Sequence, residues 1–146
     1  MTGKVETLKE TAVRIAVIGA GAVGSALGAL LHRAGQKVVL IARPAHVAAI
    51  RQNGLQVDGD VGNFITSIEA AETLDFRPDL TLLTVKTQDV VAAVKANQIL
   101  LSNVPVVTFQ NGVRSDQLVA GILPHEQILS AVVLTHASRV ESWRSG

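Results

Sequence analysis

IAVIGAGAVGSALGALLHRAG, residues 15–35, is the stretch on which the fold turns. No charge falls between Arg14 and His32, and Gly24 and Gly28 match the G-x-x-x-G spacing of packed membrane helices, so a spanning helix is weighed first. A span needs ~20 mostly apolar residues, and this uncharged run is slightly shorter. It also holds Gly19, Gly21, Gly24 and Gly28, and each glycine costs ~1 kcal/mol relative to alanine inside a helix. The rhythm changes midway. RIAVIG is a short β-branched run closed by glycine, whereas beyond Gly21 the apolar residues Val23, Leu27, Leu30 and Leu31 recur at i, i+4, i+7 and i+8. The pattern predicts a strand, a glycine turn and a helix. His32 and Arg33 suit the negative end of the helix dipole, and Gly35 is the expected left-handed residue beyond it.

The same rhythm continues outward from this unit. KVVLIAR (37–43) predicts a second strand, and PAHVAAIRQNG (44–54) a short helix with Pro44 where a missing N–H costs nothing. Strand, helix and strand make a βαβ unit. LQVDGDVGNFITSI (55–68) holds two alternating runs around DGDVG, which predict a hairpin inserted over the edge of the sheet. PDLTLLTVK (78–86) predicts a buried strand, TQDVVAAVKANQILL (87–101) a helix with Val90, Val94 and Leu100 on its apolar face, and VPVVTFQNG (104–112) another strand. A short helix over 115–120 and a last strand, QILSAVVLTHAS (127–138), complete the series. Continuous apolar strands alternating with helices define the α/β class: a Rossmann-like, doubly wound, mostly parallel sheet. The domain spans residues 14–146, after a lead-in of low order over 1–13.

Composition is consistent with one such domain. The chain has 146 residues, 48% hydrophobic and 17% charged, with mean hydropathy +0.36, far too apolar for a disordered segment. Thirteen Lys and Arg against twelve Asp and Glu give a net charge of +1, with no basic block to follow a nucleic-acid backbone. Three Phe, one Trp and no Tyr leave Val, Leu, Ile and Ala to build the core. The absence of cysteine excludes disulfides, thiolate metal sites and a cysteine nucleophile, and fits a reducing compartment, with the cytoplasm as the expectation. MTGKVETLKETAVR lacks the basic start and apolar stretch of a secretory signal. His32, His46, His125 and His136 have no metal-ligand spacing, and no serine lies in a G-x-S-x-G elbow.

Gly19, Gly21 and Gly24 form G-x-G-x-x-G between a strand and a helix, the setting in which this pattern binds a dinucleotide. Gly19 makes the tight turn, Gly21 lets the backbone approach a pyrophosphate, and Gly24 lets the helix pack closely on the strand. The N–H groups at the helix start, around Ala22, Val23 and Gly24, then face the phosphate charge. An NAD site usually places Asp or Glu about 20 residues beyond the glycines. That position here reads LIARP, and Arg43 stands where the acid would be. A guanidinium can donate two charge-assisted bonds to a 2′-phosphate, so the predicted cofactor is NADP.

Three stretches together resemble the ketopantoate reductase family (2-dehydropantoate 2-reductase): IGAGAVGSALGALLHRAG with LIAR after it, LLTVKTQD, and FQNGV. A strand ending in V-K-T followed by one ending in Q-N-G is more particular to this family than the glycine loop. The resemblance implies NADPH-dependent reduction of a 2-keto acid, 2-dehydropantoate, to pantoate on the way to coenzyme A. It also implies that Lys86 and Asn111 lie beside the nicotinamide and the substrate, Lys86 holding an anionic or carbonyl oxygen and Asn111 orienting the substrate or the carboxamide. Members of the family are about twice this length, with a helical C-terminal half that supplies the general acid lysine. The chain therefore reads as a fragment of a larger reductase, its uncovered apolar face free to self-associate, or alternatively as a lone dinucleotide-binding regulatory module. A related hydroxy-acid or glycerol-phosphate dehydrogenase is the remaining alternative.

Overall fold

A computed structural model describes residues 13–59, 62–109 and 114–131. Among the described residues eight strands and four α-helices follow in the order β1 (Arg14–Ile18), α1 (Ala22–Arg33), β2 (Lys37–Ile41), α2 (Pro44–Asn53), β3 (Leu55–Val57), β4 (Phe64–Thr66), β5 (Glu69–Ala71), β6 (Leu80–Leu83), α3 (Val90–Ala96), β7 (Val106–Thr108), α4 (Arg114–Ala120) and β8 (Ile128–Ser130). Six strands form one sheet in the order β5-β2-β1-β6-β7-β8, every neighbouring pair parallel. Counting only these strands, the order is 3-2-1-4-5-6, the doubly wound arrangement with its reversal between β1 and β6.

Successive β1 side chains serve opposite faces. Ile15 and Val17 join Val38, Leu40, Val47, Ile50, Leu55 and Val57 in one buried layer. Ala16 and Ile18 join Val39, Ile41, Leu83, Val90, Val94 and Val119 in the other. Both layers consist largely of β-branched and other aliphatic side chains, which suits strands covered on both sides.

Helix α1 begins after Gly21 and ends as expected: Gly35 takes φ +97°, its N–H donates to His32 O, and the Gln36 N–H donates to Leu31 O. The face it buries is built mainly of small residues, with Leu27 and Leu31 half-buried against the same core. Gly24, Ser25, Ala26, Gly28 and Ala29 lie against the sheet, while Leu30 is exposed. Small residues win that face because they let the helix axis approach the strands closely. At 12 residues α1 is a surface helix of the sheet, and among the described residues no helix is long and apolar enough to cross a membrane.

Two expectations need correction. The hairpin forms, with β3 antiparallel to β4, but Leu55 and Val57 are fully buried in the layer beneath α1 and α2. It covers a face of the sheet, and the edge belongs to β5, a three-residue strand too short to show a rhythm in EAA. The helix expected over 87–101 is a 3-10 turn (Thr87–Asp89) followed by α3, which stops at Ala96; Asn97 Nδ2 donates back to Ala93 O at 2.7 Å. Val90 and Val94 are fully buried as predicted, whereas beyond α3 the fully buried leucine is Leu101. Strand β8 is observed where the last strand starts, and positions 132–138 of that stretch lie outside the described residues.

Candidate functional site

A cleft of about 920 Å³ opens where the strand order reverses, beyond the carboxyl ends of β1, β2, β5 and β6. Open α/β sheets bind ligands at this place, because the loops leaving neighbouring strands diverge there to opposite faces. Its floor is the glycine turn, Gly19 to Gly21.

Gly19 leaves β1 with φ +104°, and a Cβ there would lie 2.7 Å from the Val85 nitrogen. Neighbouring strands hold the turn: the Gly19 N–H donates to Ile41 O at 3.0 Å, and the Thr84 N–H donates to Ile18 O at 2.9 Å. A Cβ on Gly24 would collide with the Gly19 carbonyl oxygen and the Thr84 hydroxyl, so only glycine allows α1 to start this close to β1 and β6. Gly21 differs: nothing lies within 4 Å of where its Cβ would be, and its open side faces the cleft. Ala22 and Val23 occupy the first turn of α1. The first helical bond runs from Ser25 N to Gly21 O, and α1 has neither a capping side chain nor an acidic residue in its first turn. The partial positive charge of the helix start is therefore left for a ligand to neutralise.

Arg43 is the residue before α2, exposed and lining the cleft, with Pro44 in the first helical turn. Lys86 stands beyond β6, immediately before the 3-10 turn, exposed and lining the same cleft. Among the described residues neither side chain has a hydrogen-bond or ion-pair partner. Asn111, the third polar residue of the predicted site, lies outside the described residues.

The cleft also holds residues that the sequence did not bring forward. Glu72 follows β5, and because Ile41 pairs with Ala71 it emerges beside Ala42, one step from Arg43. An acid does therefore reach the β2 end of the cleft, carried by a strand with no readable signal. Asp89 lines the Lys86 end. His46, in the first turn of α2, is half-buried against the same wall, and burial lowers its pKa from the ordinary histidine value. Thr84 places its hydroxyl on the glycine turn, donating to Gly19 O and lying 3.2 Å from Ile18 O.

The parallel six-stranded sheet with a glycine turn at its switch point defines a domain of the Rossmann-like class. Within that class the chain belongs to the ketopantoate reductase PanE/ApbA family, whose family model matches residues 15–145. The 2-dehydropantoate 2-reductase of Pyrococcus abyssi is 34% identical over 105 residues, which cover 71% of this chain and 35% of the relative. The chain thus spans about a third of the length of that relative. A PanE/ApbA family ketopantoate reductase from Ralstonia eutropha superposes with a TM-score of 0.71 at 34% identity, over 82% of this chain and 40% of the other. D-mandelate dehydrogenase, solved with NADH and anilino(oxo)acetate, superposes with a TM-score of 0.74 at 27% identity, over 82% and 40%.

Proposed function

We propose that this chain is the NADPH-binding half of a 2-dehydropantoate 2-reductase-like oxidoreductase. One observation carries the proposal: a cleft at the switch point whose floor is a glycine turn with Gly21 open to it, and whose β2 end presents Arg43, exposed and without a partner among the described residues. The residues fit the group. The turn has room for a pyrophosphate at Gly21, the helix start offers N–H donors at Ala22 to Gly24, and Arg43 can hold a 2′-phosphate. Bound NADPH would supply the hydride for reduction of the keto carbon of a 2-keto acid.

Lys86, across the cleft from the adenosine end, would draw in the substrate by its anionic or carbonyl oxygen, lowering the cost of charge developing on that oxygen. Asn111 would orient the substrate or the carboxamide. The developing alkoxide needs a proton from a placed donor. The described residues of the cleft wall are not assigned that role, and we place the donor in a further domain of the whole protein.

NADPH is expected to bind at least about tenfold more tightly than NADH, from the charge-assisted bonds of Arg43, and Arg43→Glu is expected to abolish the preference. Calorimetric titration with both dinucleotides checks it. Equal binding of the two by the unsubstituted protein would favour a second reading, in which Glu72 accepts from the ribose hydroxyls; the NADH in the D-mandelate dehydrogenase neighbour motivates that alternative.

A further inference from the structure

Four consecutive carbonyls leave the end of β1 and the glycine turn, and each is engaged by a donor belonging to one of two residues. Ile18 O accepts from the Thr84 N–H at 2.9 Å, and Gly19 O accepts from the Thr84 hydroxyl. Ala20 O accepts from the Ser25 hydroxyl at 3.0 Å, and Gly21 O accepts from the Ser25 N–H at 2.9 Å. Ser25 is fully buried, so its hydroxyl works away from bulk water, where a hydrogen bond is stronger, and Thr84 is half-buried at the cleft. A hydroxyl has one proton to give. Ile18 O already holds a backbone donor, so the Thr84 proton serves Gly19 O, which has no other donor among the described residues.

We infer that Thr84 and Ser25 are positioning residues for the anion-binding turn: they draw its carbonyl oxygens inward, so that the turn offers only N–H groups to the cleft. The inference rests on the dinucleotide reading above. A peptide in this turn has two ways to face a ligand, and they differ in sign. An oxygen facing a pyrophosphate repels it, whereas successive N–H groups form a concave anion site. Gly19 and Gly21 leave the backbone free to rotate, so glycine alone does not select the orientation. The two hydroxyls select it before the ligand arrives.

The test compares the unsubstituted protein with Thr84→Val, Thr84→Ser and Ser25→Ala. Affinities for NADPH, for ADP and for adenosine 2′-monophosphate are measured by calorimetry, alongside the melting midpoint. ADP carries a 5′-diphosphate; adenosine 2′-monophosphate has only the phosphate assigned to Arg43. Thr84→Val and Ser25→Ala are expected to weaken NADPH and ADP by about tenfold each, the scale of one hydrogen bond at a charged ligand, and to leave adenosine 2′-monophosphate unchanged. Thr84→Ser is expected to restore binding of the first two. Lowered melting midpoints with NADPH and ADP affinities intact would overturn the inference, as would equal weakening of all three ligands. If Thr84→Val does not fold, Ser25→Ala and Thr84→Ser decide by the same readouts. Failure of the unsubstituted protein to bind NADPH and ADP would overturn the dinucleotide reading and this inference with it.

Discussion

Among single residues, the glycines of the turn separate into positions closed in by their neighbours and one open to the cleft, a difference that the shared motif conceals. Gly24 meets backbone and the Thr84 hydroxyl, while Gly21 meets nothing within 4 Å. Gly24→Ala is therefore expected to destabilise the fold by ~1–3 kcal/mol, because a backbone carbonyl cannot step aside, and to lower the melting midpoint accordingly. Gly21→Ala is expected to leave the midpoint nearly unchanged and to weaken NADPH binding; a large drop in midpoint for Gly21→Ala would reverse the assignment. Arg43 was read from its place between a strand end and a helix start and Lys86 from the family resemblance, and both line the cleft. Glu72, Thr84 and Ser25 were not legible in the sequence. Their roles depend on what lies across the sheet, and neighbours such as Gly19 and Thr84 are 65 positions apart.

Within the elements, rhythm identified type better than it identified the buried face. Val23, Leu27, Leu30 and Leu31 correctly marked a helix, and Leu27 and Leu31 pack against the core, but the fully buried positions are the small ones, Gly24, Ser25, Ala26, Gly28 and Ala29. Helix α2 carries a pH dependence of its own. Burial of His46 lowers its pKa below about 6.5, so the folded state resists protonation that the unfolded chain accepts. At pH 8 both states are neutral there and the group has no effect. As pH falls below about 6.5 the unfolded state gains its proton first, and stability is lost until pH passes the folded pKa. Melting midpoints measured from pH 8 to pH 5 are expected to show this decline, and His46→Gln is expected to flatten it; an unchanged slope in that variant would assign the decline to other groups.

For the whole molecule, the sheet and its cleft form a frame that the chemistry uses only in part. The chain covers about a third of the Pyrococcus abyssi relative, and the proposed proton donor is placed in a further domain. It is accordingly expected to bind NADPH while turning over 2-dehydropantoate at no measurable rate, followed by loss of absorbance of the reduced nicotinamide. Robust turnover would mean that the donor lies among these 146 residues. By itself the sequence determined the alternation of strands and helices, the glycine turn and the basic residue after β2. These are local properties, set by side-chain periodicity and by the conformations that glycine and proline allow. Only the tertiary structure decided that β5 pairs with β2 and brings Glu72 to the cleft, that the hairpin covers a face, and that Thr84 and Ser25 hold the carbonyls of the turn. Pairing between distant segments leaves no periodic trace, because it depends on which surfaces meet once the sheet has closed around its core.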